Sequence, residues 1–269
     1  MNRFLKILGK ILGWVAGGIV LLVLLLGASI GADALAGRGR VAALTNLIAP
    51  SLGSGPDVGV YLARPDSPGP FPAVIMIHEF WGLQSSIQGK ADALAAEGYV
   101  VVAPDTMRGN ATSWLPRAIF QTITTPVDEV NTDLDAVYAW LLTQPDVIPD
   151  RILVMGFCYG GTKALTYSLH NDRLAGTGVF YGSGPITDPA QLSRLPGPLL
   201  GIFGAEDTSI PLDEVAAFDM GLTAAQIPHE ITIYPGVGHA FVADMATIQA
   251  GGPAGEAWAQ FLQFLRDNL

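Results

Sequence analysis

The sequence predicts an α/β fold, with a mainly parallel sheet flanked by helices and preceded by one N-terminal transmembrane helix. Three observations carry this: a long uncharged stretch near the start, short strands that are apolar on both faces, and regular alternation of those strands with amphipathic segments. From Ile11 to Ala32 no residue is charged, and the centre reads Gly18-Ile-Val-Leu-Leu-Val-Leu-Leu-Leu-Gly27. A helix of about 20 such residues covers roughly 30 Å, the hydrocarbon thickness of a bilayer. Arg3, Lys6 and Lys10 precede it, and the mixed set Asp33, Arg38 and Arg40 follows. The positive-inside rule then keeps the N-terminus in the cytoplasm and sends the remaining residues outside it, to the periplasm or beyond the cell. Ala34-Leu35-Ala36 resembles a peptidase site, so the rival reading is a cleaved signal peptide and a secreted protein. An uncleaved anchor is preferred, because signal h-regions run only about 7–15 residues.

The expected organisation is an anchor (1–32), a linker (33–56) rich in Ala, Gly and Ser, and a domain (57–269). The 269 residues suffice for a proper core. The net charge is −10, and no basic cluster appears after Arg40, which argues against nucleic acid. One cysteine excludes an intrachain disulfide and a zinc site built on several thiolates.

The expected strands are Val58–Leu62, Ala73–His78, Tyr99–Ala103, Ile152–Gly156, Gly178–Tyr181, Leu199–Phe203 and Ile231–Tyr234. Runs such as Ala73-Val-Ile-Met-Ile77 and Tyr99-Val-Val-Val-Ala103 show no alternation, as in strands covered on both faces. Helices are expected at Ser86–Glu97, Pro126–Leu142, Tyr159–Leu169, Leu212–Ala225 and Ala254–Asn268. In such sheets ligands bind beyond the carboxyl ends of the strands, so the residues just after each strand matter most.

Gly156-Phe-Cys158-Tyr-Gly160-Gly161 runs from a strand straight into a helix, with the spacing of a nucleophile elbow. The sharp turn strains the central residue, and glycines are needed where strand and helix crowd. The side chain stands at a helix N-terminus, which favours a thiolate or oxyanion. A buried inert cysteine is the plain alternative, and the strand–turn–helix context argues against it. A thiol benefits from an adjacent base. Of four histidines (His78, His170, His229, His239), His239 follows the last strand in Pro235-Gly-Val-Gly238-His239, the expected place for the base. The acid should follow Leu199–Phe203, where Glu206 and Asp207 are both available; Asp207 has the shorter side chain and is preferred, with helix capping as its alternative role.

These motifs resemble the dienelactone hydrolases, members of the α/β-hydrolase superfamily that carry a cysteine where most use serine. The resemblance covers Val58 to Leu269. It rests on His78-Glu79-Phe-Trp-Gly82, Ala103-Pro104-Asp105, Gly156-Phe-Cys158-Tyr-Gly-Gly161, Gly204-Ala-Glu-Asp207…Pro211 and Gly238-His239-Ala-Phe241. It implies that Cys158, Asp207 and His239 form a triad, and that Glu79 contacts the resting thiol and opposes the thiolate until substrate displaces it. In this fold the oxyanion hole would be the backbone N–H groups of Phe80 and Tyr159. Arg108 is the candidate for holding a substrate anion, with a surface ion pair as its alternative. The family's second arginine is absent: Val242, Ala243 and Asp244 follow Phe241, a departure from the pattern. Trp81, Trp114 and Tyr159 suit an apolar pocket lining, and the short Tyr181–Leu199 segment predicts an open site.

The expected activity is hydrolysis of a small ester or lactone through an acyl-enzyme, with no cofactor and no metal. His78-Glu79 lacks the second histidine of a zinc helix motif, since position 82 is Gly. The alternatives are a thioesterase or peptidase using the same triad, or a membrane-tethered binding domain without catalysis.

Overall fold

A computed structural model describes residues 2–269. Met1, and the side chain of Lys6 with those of a few neighbours, lie outside the described residues. The chain opens with α1 (Asn2–Leu44), followed by β1 (Leu47–Ala49), β2 (Val58–Ala63), β3 (Phe71–Ile77), α2 (Ser85–Ala96) and β4 (Val100–Pro104). Next come α3 (Leu115–Thr124), α4 (Val127–Leu142), β5 (Val147–Phe157), α5 (Tyr159–His170), β6 (Gly176–Phe180) and α6 (Pro189–Leu192). The chain ends with β7 (Leu199–Gly204), α7 (Leu212–Ala224), β8 (His229–Tyr234), α8 (Met245–Gln249) and α9 (Gly252–Asn268).

The strands form one 8-stranded sheet in the order β1-β2-β4-β3-β5-β6-β7-β8. All pairs from β4 to β8 are parallel, while β1–β2 and β2–β4 are antiparallel. The apolar strands supply two cores at once. Val74 and Met76 of β3, Val101 and Ala103 of β4, and Leu153, Met155 and Phe157 of β5 point into one, against α2, α7 and α9. Their neighbours Ala73, Ile75, Ile77, Val100, Val102, Ile152 and Val154 point into the other, against α4 and part of α5. Period-two geometry sends successive side chains to opposite faces, so a strand with both faces covered loses its polar alternation.

α1 is long and apolar enough to cross a membrane, and none of its apolar window is buried in the protein. It does not stop at Ala32. Residues 33–44, expected within a tether, continue the same helix, and β1 joins the sheet beside β2. The small residues that read as a linker instead permit close packing. Gly37 lies against Ala111, where a methyl group would strike the Ala111 carbonyl, and Val41 is buried in the core. Asp33 pairs with Arg117 of α3 (2.6 Å), and its carboxylate accepts from the Thr112 hydroxyl (2.5 Å).

α3 is a helix absent from the sequence expectation, although Leu115, Ile119 and Ile123 recur at helical spacing. Its domain-facing residues are Ala118 and Gln121, whereas Leu115, Ile119, Phe120 and Ile123 are exposed. Pro116 in its first turn is the one local start signal.

Candidate active site

β5 ends at Phe157, and α5 starts one residue after Cys158, which has φ 54° and ψ −117°. A positive φ is unfavourable for a side chain with a Cβ, so the conformation must be held from outside. The Cys158 N–H donates to the Phe180 carbonyl (2.9 Å), and the Cys158 carbonyl accepts from Gly161 N–H (2.9 Å) and Thr162 N–H (3.2 Å). The flanking glycines are needed for clearance: a methyl on Gly156 would strike the Gly160 backbone.

Three loops converge on the sulfur. His239 Nε2 lies 3.0 Å from Cys158 Sγ, and His239 Nδ1 lies 2.6 Å from Asp207 Oδ2. The Asp207 side chain is almost wholly buried, and its other oxygen accepts from Ser209 N–H (2.8 Å). An ionised carboxylate can only accept, so it places the imidazole proton on Nδ1 and leaves Nε2 to accept the thiol proton. Glu206, the alternative acid, is exposed. The remaining histidines are engaged elsewhere: His170 with Asp135, His229 with Asp219, and buried His78 with the Glu79 carbonyl and Thr106.

Burial pushes the Cys158 thiol up to about 11; the backbone N–H groups of Tyr159 and Phe80 pull it down, while the charges of Glu79 and Asp207 push it up. Phe80 and Tyr159, expected as the oxyanion donors, are thus the two backbone groups that favour charge on the sulfur. Phe80 is held by α3, whose Gln121 side-chain amide donates to the Phe80 carbonyl (2.7 Å).

Glu79 departs from the expected arrangement. Its Oε1 is buried and has no hydrogen-bond partner, and the thiol is hydrogen-bonded to His239 rather than to Glu79. Burial raises the Glu79 pKa, with Lys90 and then His239 pulling it down.

Lys90 escaped the sequence reading. It is fully buried in α2; its ammonium donates to the Ala243 carbonyl (2.8 Å) and stands 4.0 Å from the Phe157 ring centroid. It thus ties Phe157, the residue before Cys158, to the loop after His239. Burial lowers its pKa to about 8 against the opposing pull of Glu79 and Asp244. Tyr181 was seen only as a strand end. Its buried ring meets the His239 ring edge-on at 5.2 Å, and its hydroxyl donates to the Val242 carbonyl (3.3 Å).

Arg108 is committed to an ion pair with Asp133 (3.0 Å) and Glu129 (2.5 Å) of α4, the alternative weighed for it. It lines a cleft of about 330 Å³ with Arg117, Phe120 and Gln121, and no triad side chain reaches that cleft. Trp81 is half-buried and packs against Phe80 at 4.4 Å. Trp114 is half-buried at the start of α3, and Tyr159 is buried against His78 at 5.9 Å.

Residues 58–269 match the family model described as the dienelactone hydrolase family. A Synechocystis protein provisionally named carboxymethylenebutenolidase is 33% identical over 229 residues, covering 78% of this chain and 91% of that protein. A provisional carboxymethylenebutenolidase of Escherichia coli K12 is 31% identical, covering 79% and 83%. The crystal structure of a provisional dienelactone hydrolase from Klebsiella pneumoniae superposes with a TM-score of 0.72 at 28% identity, covering 82% of this chain and 97% of that one. With a match extending from β2 to the last residue, this chain belongs to the dienelactone hydrolase family.

Proposed function

We propose that the protein hydrolyses small esters or lactones through a covalent acyl-enzyme on Cys158. The observation that carries this is the continuous line from Asp207 through His239 to the Cys158 sulfur, at 2.6 and 3.0 Å. Substrate binds with its carbonyl oxygen between the Phe80 and Tyr159 N–H groups. The thiol proton passes to His239 Nε2 as sulfur attacks the carbonyl carbon, and Asp207 stabilises the imidazolium. The tetrahedral oxyanion takes the two backbone hydrogen bonds, each worth about 2.7–4 kcal/mol of barrier in comparable sites. Collapse breaks the ester C–O bond, and the Nε2 proton goes to the leaving alkoxide. A water then gives its proton to Nε2, attacks the thioester and releases the acid, and the thiolate regains its proton.

The relatives' names support ester or lactone chemistry. Arg108's engagement with two carboxylates speaks against its holding a substrate carboxylate, so neutral esters and lactones are the favoured class. The same reading makes α1 an anchor with the catalytic domain outside the cytoplasm. Cleavage after Ala36 would remove Asp33 and leave Arg117, whose side chain is only 10% exposed, without that partner. The test is kinetics on p-nitrophenyl esters and lactones. Cys158→Ala is expected to abolish turnover, and undiminished turnover in that variant overturns the reading.

A further inference from the structure

The exposed face of α3 carries four large apolar side chains within nine residues. Leu115, Ile119 and Ile123 recur every four residues, a spacing that aligns them along one helix face. Phe120 adjoins them; its side chain is 63% exposed and that of Ile123 is 75% exposed. A contiguous apolar stripe of this kind marks a surface that meets something other than water.

α1 fixes its height relative to a bilayer. Asp33 is the first charged residue after the uncharged stretch, so it marks the level where α1 leaves the hydrocarbon. Arg117 of α3 pairs with that carboxylate, and Thr112, just before α3, donates to it. α3 is ten residues long, about 15 Å, and the Arg117–Asp33 ion pair holds its first turn at that level. Arg38 and Arg40, exposed about one to two turns beyond Asp33, supply cations at phosphate height, although Arg40 also lies 3.8 Å from the Asp33 carboxylate.

From this juxtaposition we infer that α3 lies in the bilayer interface beside α1, with Leu115, Ile119, Phe120 and Ile123 dipped among the lipid chains. The occupant of this face is the membrane that holds α1, and the inference rests on the anchor reading above. Amphipathic helices with one apolar face seat in this way. Because Gln121 of the same helix holds the Phe80 carbonyl, the seat brings the catalytic loop to the lipid surface, where apolar esters concentrate.

The test uses the full chain with Cys158→Ala, which removes the native thiol, and Ile123→Cys carrying an environment-sensitive NBD label. A second chain carries the label at Asp150→Cys, at the opposite end of β5 from the active-site loops. Both are reconstituted into phosphatidylcholine–phosphatidylglycerol vesicles and floated at alkaline pH, which retains only integral proteins. The expected result is retention of both chains, with blue-shifted emission at position 123 that shallow doxyl-lipids quench and water-like emission at 150. Retention with water-like emission at both positions overturns the α3 seat and leaves the anchor standing. Blue-shifted emission that doxyl-lipids do not quench means that protein covers the face, and overturns the seat too. Loss of the chains from the vesicles overturns the anchor and the seat together.

Discussion

Gly160 lies so close to the end of β3 that a methyl group on it would strike the Ile77 carbonyl. The contact locks the start of α5 against the strand whose continuation supplies Glu79 and Phe80. It therefore fixes the distance between Cys158 and the Phe80 N–H, the proposed nucleophile and oxyanion donor. Gly160→Ala must push strand and helix apart, and overpacking of this kind costs typically 1–3 kcal/mol. Denaturant unfolding of the detergent-solubilised chain is expected to show a loss of about that size, together with a fall in activity. Unchanged stability contradicts the stated contact.

Glu79 Oε1 is buried without a hydrogen-bond partner, and the carboxylate charge raises the Cys158 pKa. Glu79→Gln removes that charge while keeping the volume, so the thiol pKa should fall from about 11, although burial, the largest cause, remains. A one-unit fall would multiply the thiolate fraction about tenfold below the pKa. Iodoacetamide alkylation of Cys158 at pH 8 should therefore be up to about tenfold faster in the variant. An equal or slower rate contradicts the electrostatic role.

Lys90 gives the stability of the protein a pH dependence of definite sign. Its folded-state pKa is lowered from 10.5 to about 8, so between these values the unfolded chain holds more protons than the folded one. Stability from this residue therefore rises as pH climbs from about 8 towards 10.5, and the burial penalty on the ammonium is in full force below about 8. Lys90→Met keeps most of the stem and removes the titration. The unfolding free energy of wild type minus variant, followed from pH 7 to 10, should increase. A flat difference contradicts the burial of a charged ammonium at neutral pH.

His239→Ala should lower kcat by roughly 10²–10⁴, the usual range for a lost general base, with little change in melting temperature. Asp207→Asn is expected to fall in a similar range, because an amide can present its N–H to Nδ1 and stabilise the wrong tautomer. His170→Ala and His229→Ala, each paired with a carboxylate away from the sulfur, should retain activity. Comparable losses in all four variants contradict the assignment of the base.

The sheet was legible because both faces of β3, β4 and β5 are buried, which leaves an unmistakable apolar run. The elbow, the acid loop and the histidine loop were legible for a related reason: each follows such a strand within a few residues. α3 carries Leu115, Ile119 and Ile123 at helical spacing, but that apolar face points outward and the domain-facing positions are Ala118 and Gln121, so its pattern says nothing of the core it packs on. The continuation of α1 past Asp33 was hidden by small residues, whose composition serves a tether and a tight helix contact equally well. Lys90 and Arg108 depended on long-range meetings that no local spacing records, the first with Ala243 and the second with Glu129 and Asp133 of α4.

The most direct test of the account is to quench turnover of a slowly hydrolysed ester in acid and map the acyl group by peptide mass spectrometry. The account predicts an added acyl mass on the peptide carrying Cys158, accumulating within the first turnover and absent from Cys158→Ala. An acyl group on any other residue, or steady turnover with none on Cys158, would contradict it.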